Sequence, residues 1–385
     1  MLLLDIGDHR LAVARMWPVT SLRQGKWRAV AALVLAVGAS IGGLVTPASA
    51  STANQWRIAN VWGSGNGQFD SVAATGPASA WAVGTQTHGG PLAAHWNGHA
   101  WQSVTIPGTK SYSLRQVVAS SASNVWVFGE DFDYGTASAF RYDGAHWHTV
   151  SLPAASVSSP GFGTGQALVF GPKDVWLALW GACSTTAGKT TCTSQVWHWN
   201  GSTWTAHNIG AAITGITGIS DHDLRAVALT GKGVVTAYRW NGTRWSGMSI
   251  PHASAKNFAE WTPSIAMDSD TDIWIAFDKV TCCSATALHL TTNGWHQITP
   301  GETGVVTELI LDGHGGAWLG SFAHWTGSGW FYLQDNLYQV NDSTWQIGQT
   351  VKVPGTSGSY WTAGMVIPYP TNTTRPMVAL FGPTP

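Results

Sequence analysis

Three sets of side chains in this 385-residue chain have chemistry to offer: carboxylates, aromatic rings outside any repeat, and cysteines. Glu130, Asp131 and Asp133 crowd into four consecutive positions, while Glu260 and Glu308 stand apart. Two carboxylates about 5–5.5 Å apart cleave a glycosidic bond with retention, and a pair about 6.5–9.5 Å apart does so with inversion. Glu130, Glu260 and Glu308 are therefore the catalytic candidates. The alternation of Asp131 and Asp133 before Gly135 also resembles an oxygen-rich calcium loop, as does Asp268, Asp270, Asp272, although neither supplies a full ligand set. Calcium at Asp131 and Asp133 is the metal site considered, and no organic cofactor is expected. His88, His252 and His314 are isolated, without zinc spacing, and the glycine runs GTGQ and GSGNG precede no helix.

The elements that must position these groups are repeats. HWNGHAW (95–101), RYDGAHW (141–147), HWNGSTW (198–204), RWNGTRW (239–245) and HLTTNGW (289–295) share a hairpin bracketed by bulky residues, with QVNDSTW (339–345) as a degenerate sixth copy. Asn-Gly and Asp-Gly suit the positive φ of a hairpin turn. Upstream of each lies an apolar strand centred on Trp81, Trp126, Trp176, Arg225, Trp274 or Trp318. A unit of about 40 to 50 residues in six copies indicates a propeller or array. Each unit makes a four-stranded blade, a to d, the hairpin supplying c and d. The residue two before the strand b centre is Ser79, Asn124, Asp174, Asp223, Asp272 or Gly316, all turn formers.

The fold class expected is thus an all-β propeller of about seven blades. QWRIA at the N-terminus reads as a lone strand d, and TAGMVIP and RPMVALFG at the C-terminus as a and b. Joined, they close a three-stranded seventh blade with no strand c, which removes exposed sheet edges. A six-bladed ring with extra edge strands is the alternative.

With DVWLAL (174–179) and HWNGSTW (198–204) as its typical pieces, the chain resembles Trp-rich secreted bacterial propellers, broadly kelch-like or sialidase-like in fold. The resemblance spans nearly all of residues 51–385 and implies fold rather than activity. GSTW (201–204) is similar to the Asp-box turn of sialidases, but Trp199 stands where that motif needs Asp, and strand b lacks the kelch Gly-Gly doublet.

Of 24 tryptophans, most fall in repeat columns and read as packing between blades, as does the strand c column His95, Arg141, His198, Arg239, His289. Trp62, Trp180, Trp261, Trp325, Trp330 and Trp361 do not. These six lie in or beside d-to-a and b-to-c connections, which share one face of an up-and-down blade. With Tyr134, Phe331 and Tyr332 they form the ligand-binding candidates, rings able to stack on a sugar or anchor a protein. The alternative is that they lid their own blades. Cys183 and Cys192 bracket one loop of that face, and Cys282 and Cys283 are adjacent in another. Local disulfides are favoured over a pairing that crosses the intervening blade.

Arg23, Lys26 and Arg28 precede the uncharged run Ala29–Val45, and Ala48-Ser49-Ala50 follows, the order of a secretory signal peptide. Residues 1–50 are expected to be removed, with the true start at Met16 because Asp5 and Asp8 spoil a basic leader, and 51–385 to form one domain. Only 10% of residues are Asp, Glu, Lys or Arg, against about 25% ordinarily, which leaves no basic footprint for nucleic acid or anionic membrane. The reading is a secreted, monomeric, non-catalytic binding propeller for an extracellular carbohydrate or protein, acting through the aromatic loop face. The alternatives are a polysaccharide-active enzyme, glycoside hydrolase or lyase, using carboxylates of that face, and a scaffold in an extracellular assembly.

Overall fold

The computed structural model describes residues 55–63, 66–87, 89–131, 137–153, 166–179, 183–186, 189–192, 195–211, 213–230, 234–251, 253, 263–278, 285–300, 308–320, 323–332, 343–368 and 373–385. Among them every regular element is a strand, and the strands form seven four-stranded antiparallel sheets, a seven-bladed β-propeller. After β1 (Trp56–Val61), blade 1 holds β2 (Gly67–Gly76), β3 (Ser79–Gln86), β4 (Pro91–Trp96) and β5 (Trp101–Ser103). Blade 2 holds β6 (Tyr112–Ser121), β7 (Asn124–Asp131), β8 (Ala137–Tyr142) and β9 (Trp147–Ser151). In blade 3 the two-stranded β12 (Cys183–Thr186) and β13 (Lys189–Cys192) interrupt the sheet of β10 (Gln166–Gly171), β11 (Asp174–Leu179), β14 (Gln195–Trp199) and β15 (Trp204–Asn208).

Blade 4 is β16 (Ile213–Ser220), β17 (Asp223–Leu229), β18 (Val235–Trp240) and β19 (Trp245–Met248), and blade 5 is β20 (Ser264–Ser269), β21 (Asp272–Asp278), β22 (Ala285–Thr291) and β23 (Gly294–Ile298). Blade 6 is shorter: β24 (Leu309–Leu311), β25 (Ala317–Leu319), β26 (Ala323–Trp325) and β27 (Trp330–Tyr332). Blade 7 pairs β28 (Ser343–Lys352), β29 (Tyr360–Pro368) and β30 (Arg375–Phe381) with β1 from the other end of the chain.

Two expectations are corrected here. The seventh blade has four strands, because β28 supplies a and the C-terminal segments are b and c; QWRIA is strand d as expected. STW (343–345) therefore opens blade 7, and the sixth hairpin is HWTGSGW (324–330), where Trp325 faces Trp330 across β26 and β27. The six-bladed alternative falls with the seven sheets. The turn itself is longer than a two-residue hairpin: Trp96 pairs with Trp101, and the Asn97 side chain accepts the N–H of His99 and Ala100, both at 3.0 Å. Gly98 has φ 93°, a conformation that favours glycine.

Among the described residues a core cluster joins each neighbouring pair of blades, and one more, Val366, Met377 and Ala379, belongs to blade 7 alone; strand b is thus covered on both faces. β3 and β7 are buried at six successive positions, which erases the period-2 pattern, whereas outermost β9 and β15 are largely open. The strand b aromatic of one blade packs onto the c–d pair of the next. Trp81 meets Tyr142 and Trp147, both at 5.5 Å between centroids; Trp126 meets Trp199 at 6.0 Å and Trp204 at 6.3 Å. Trp361 closes the ring, at 5.2 Å from both Trp96 and Trp101. Ring pairs at such separations add to the burial of their surface.

The inner strands are stapled as well. A strand-a side chain accepts a backbone N–H of the next blade in five places: Ser71 from Val117 (3.0 Å), Gln116 from Ala167 (3.0 Å), Gln166 from Ile216 (2.9 Å), Glu308 from Thr350 (2.6 Å) and Gln349 from Val72 (3.3 Å). Thr214 instead donates to the Pro263 carbonyl at 2.8 Å. The inner wall is thus joined blade to blade by polar side chains, and Glu308 sits where three other blades use an amide.

Candidate functional site

The strand b column does more than turn the chain. In blade 3, Asp174 Oδ1 accepts the Trp176 indole N–H (3.1 Å) and bonds His198 Nε2 (2.9 Å), while that imidazole stacks on the indole at 4.3 Å. Blade 5 repeats this with Asp272, Trp274 and His289, at 3.1, 2.9 and 4.0 Å. In both blades the carboxylate stands two residues before the indole and the imidazole directly across the ladder from it, so that both groups reach one carboxylate. Burial lowers the His289 pKa, with Asp272 opposing it.

Blade 6 rebuilds the arrangement from a different residue. Gly316 occupies the column, and a Cβ there would collide with the Asp312 carboxylate. The glycine lets Asp312 reach in: its Oδ1 accepts the N–H of His314 (2.7 Å) and Gly316 (2.9 Å), and its Oδ2 bonds His324 Nε2 (2.9 Å). Burial works against the Asp312 charge, but His324 and the two N–H donors outweigh it and hold its pKa below the ordinary value. His324 stacks on Trp318 at 4.3 Å and 3°.

What sets this junction apart is its neighbour. Elsewhere a c–d hairpin covers the preceding Trp. Blade 7 has no such hairpin, since c ends at Phe381 and d begins at Trp56. Trp318, Tyr360 and Phe381 form a small buried cluster there, with Trp56, paired to Phe381 across β30 and β1, and Ile310 packed against it. A cleft of about 330 Å³ opens there, lined by Asp312, His314, Trp318, His324, Phe331, Lys352, Ser357, Gly358, Tyr360 and Phe381. Phe331 is 43% exposed and Tyr332 beside it 40%. Lys352 Nζ donates to the Asp312 carbonyl. Burial raises the Tyr360 pKa.

The cleft lies on the face of the a–b turns and c–d ends, opposite the expected aromatic rim. Of that rim, Trp325 and Trp330 are strand c and d residues, 5.5 Å apart and packed on the blade 5–6 core. Trp361 is 1% exposed in β29, and Trp62 packs edge-on to Phe69 at 4.8 Å. Trp325, Trp330 and Trp361 are strand residues because the sixth hairpin is 324–330 and β29 is strand b of blade 7, whereas Trp62 does lie in a d-to-a connection and folds onto the core beneath it. Trp180, Trp261, Tyr134, Glu260, Asp133, Cys282 and Cys283 lie outside the described residues. Cys183 and Cys192 are directly paired positions in the β12–β13 ladder.

Glu130 and Asp131 end β7 rather than lying in a loop, and Asp131 is buried and accepts the Ser111 hydroxyl at 2.8 Å. In the second acidic run Asp270 accepts Arg225, and Asp272 is committed to Trp274 and His289. No group of three or more His, Cys, Asp or Glu is placed to hold a metal among the described residues.

Burial pushes the Glu308 carboxyl up to about 8, against its hydrogen bonds with Thr350. In the unfolded chain the same group loses its proton near 4.5. Its contribution to stability is therefore complete below pH 4.5, falls as pH rises from 4.5 to about 8, and is constant above that. Glu308 is only partly buried, and solvent screening reduces the effect to about 2 kcal/mol at pH 7. Glu308→Gln is expected to remove this fall, since Gln116 and Gln166 make the same bond uncharged. Urea unfolding of both proteins at pH 5, 7 and 8.5 checks it.

No family model matches the chain, and no curated protein matches it. Solved structures do. YCF48 bound to D1 peptide superposes with TM-score 0.56 at 12% identity, over 86% of this chain and 98% of that one. YCF48 from Cyanidioschyzon merolae gives 0.52 at 14%, over 85% and 98%. The fucose-specific lectin from Aleuria aurantia gives 0.47 at 15%, over 82% and 96%. At these identities the likeness is one of fold.

Proposed function

We propose that this chain is a secreted, non-catalytic binding propeller that holds an extracellular carbohydrate or protein at the junction of blades 6 and 7. The observation that carries this reading is the cleft itself: the junction without a c–d hairpin presents an exposed Phe331 beside a few fixed polar groups. Concave sites that combine apolar surface with placed polar groups are where ligands bind. Export rests on the leader-like residues 1–50, outside the described residues. YCF48, a propeller of the same fold, is found with a peptide bound, which supports binding as a use of this architecture.

The enzymatic reading draws on Glu308, since a general acid needs a raised pKa. Its place in the inner-wall series of Ser71, Gln116, Gln166 and Gln349 favours a staple over an acid. Incubating residues 51–385 with insoluble polysaccharides and cell-wall material separates the two. Protein retained without soluble sugar released is expected; release abolished by Glu308→Gln in a folded variant establishes the enzyme instead.

A further inference from the structure

Resting on the binding reading above, we infer that the blade 6–7 cleft takes a neutral saccharide, with Phe331 as the stacking platform and Lys352 as a hydrogen-bond donor to its oxygens. Size comes first. About 330 Å³ is at the small end of small-molecule sites, about 300–1,000 Å³, whereas a protein partner needs about 800 Å² of each surface. The cleft suits a sugar unit better than a folded partner.

Its polar groups then select the ligand. Asp312, the carboxylate in the wall, already receives His314 N and Gly316 N on one oxygen and His324 on the other, at 2.7, 2.9 and 2.9 Å. It has little left to offer an ammonium group. The groups that remain are Lys352 Nζ, which spends one N–H on the Asp312 carbonyl and can only donate, and the exposed His314 imidazole, the Ser357 hydroxyl and the Tyr360 hydroxyl, which can donate and accept. One fixed donor among groups that both donate and accept suits a ligand rich in hydroxyls, which also do both.

Charge narrows the choice further. Lys352 lies in the field of Asp268, and Asp268 also feels Asp312 and Asp272. Flanked by these carboxylates, the lysine does not make the cleft a positive site, so an anionic sugar gains nothing over a neutral one. A pyranose presents an apolar C–H face to an aromatic ring and its oxygens at the edge, matching Phe331 beside the donors.

The test is titration calorimetry with ligand-observed NMR on residues 51–385. The probes are methyl glycosides of neutral hexoses and 6-deoxyhexoses, methyl glucuronide, methyl glucosaminide and a short lysine-containing peptide. At least one neutral glycoside is expected to bind, about tenfold more weakly in Phe331→Ala and about threefold more weakly in Lys352→Met, with the glucuronide no tighter. Because Phe331 is exposed, its variant keeps the fold, which thermal unfolding verifies. Failure of every neutral glycoside to bind, tighter binding of glucuronide, or neutral binding indifferent to Phe331 overturns the inference. Peptide binding that depends on Phe331 would also overturn it while leaving the cleft as the binding site.

Discussion

Trp361→Ala is expected to cost about 3–5 kcal/mol in urea unfolding, as large aromatic deletions from a packed core do. The indole is 1% exposed, and it is the piece of blade 7 that rests on Trp96 and Trp101 of blade 1. Its removal therefore opens a cavity at the seam where the two ends of the chain are joined. Trp62→Ala, which deletes a half-buried ring from the edge of the same core, is expected to cost about 1–2 kcal/mol. A Trp361 effect no larger than the Trp62 effect would show that the seam is not held by this packing.

Arg225 carries the second large effect. It stands in the strand b column where the six other blades have Trp, yet it is 2% exposed. Its guanidinium pairs with Asp223 on its own strand, reaches Asp270 of blade 5 at 2.6 Å and donates to the Leu224 carbonyl at 3.0 Å. Arg239, opposite it in the ladder, supports the cluster at 3.5 Å from Asp223 and 3.7 Å from Asp270. Breaking a buried pair from one side costs about 3–5 kcal/mol because the other charge is stranded. Asp270 is half open to water and Asp223 keeps Arg239, so Arg225→Ala is expected at the lower end, about 3 kcal/mol. Arg225→Trp is expected within about 1 kcal/mol of the parent, since Asp223 can then accept the indole N–H as Asp174 and Asp272 do. A tryptophan variant as unstable as the alanine one would contradict the equivalence of the column.

The sequence made the propeller legible because its repeat is written in types with distinct jobs: Trp for the blade faces, Asn-Gly for the c–d turn, Asp or Asn before strand b. It misled at blades 6 and 7, where those marks change hands. TGSG replaces Asn-Gly in the sixth hairpin while NDST, further on, has the look of the turn, and on that register Trp325, Trp330 and Trp361 fall outside the repeat columns. YWTAG around Trp361 does match AWAVG around Trp81, a signal that would have placed strand b of blade 7. The cleft had no mark of its own. It arises from a missing hairpin, from Gly316 admitting Asp312, and from Phe331 standing exposed, all of which are relations across the ring.

Hydrogen exchange with the retained saccharide at saturation tests the central claim most directly, because it reads which face the ligand covers. Slowed exchange in 312–316, 323–332 and 352–360 is the predicted result, with Phe331→Ala abolishing it. Slowed exchange confined to the connections after β7 and β11, with 312–316 and 352–360 unchanged, would place the ligand on the opposite face and contradict the account.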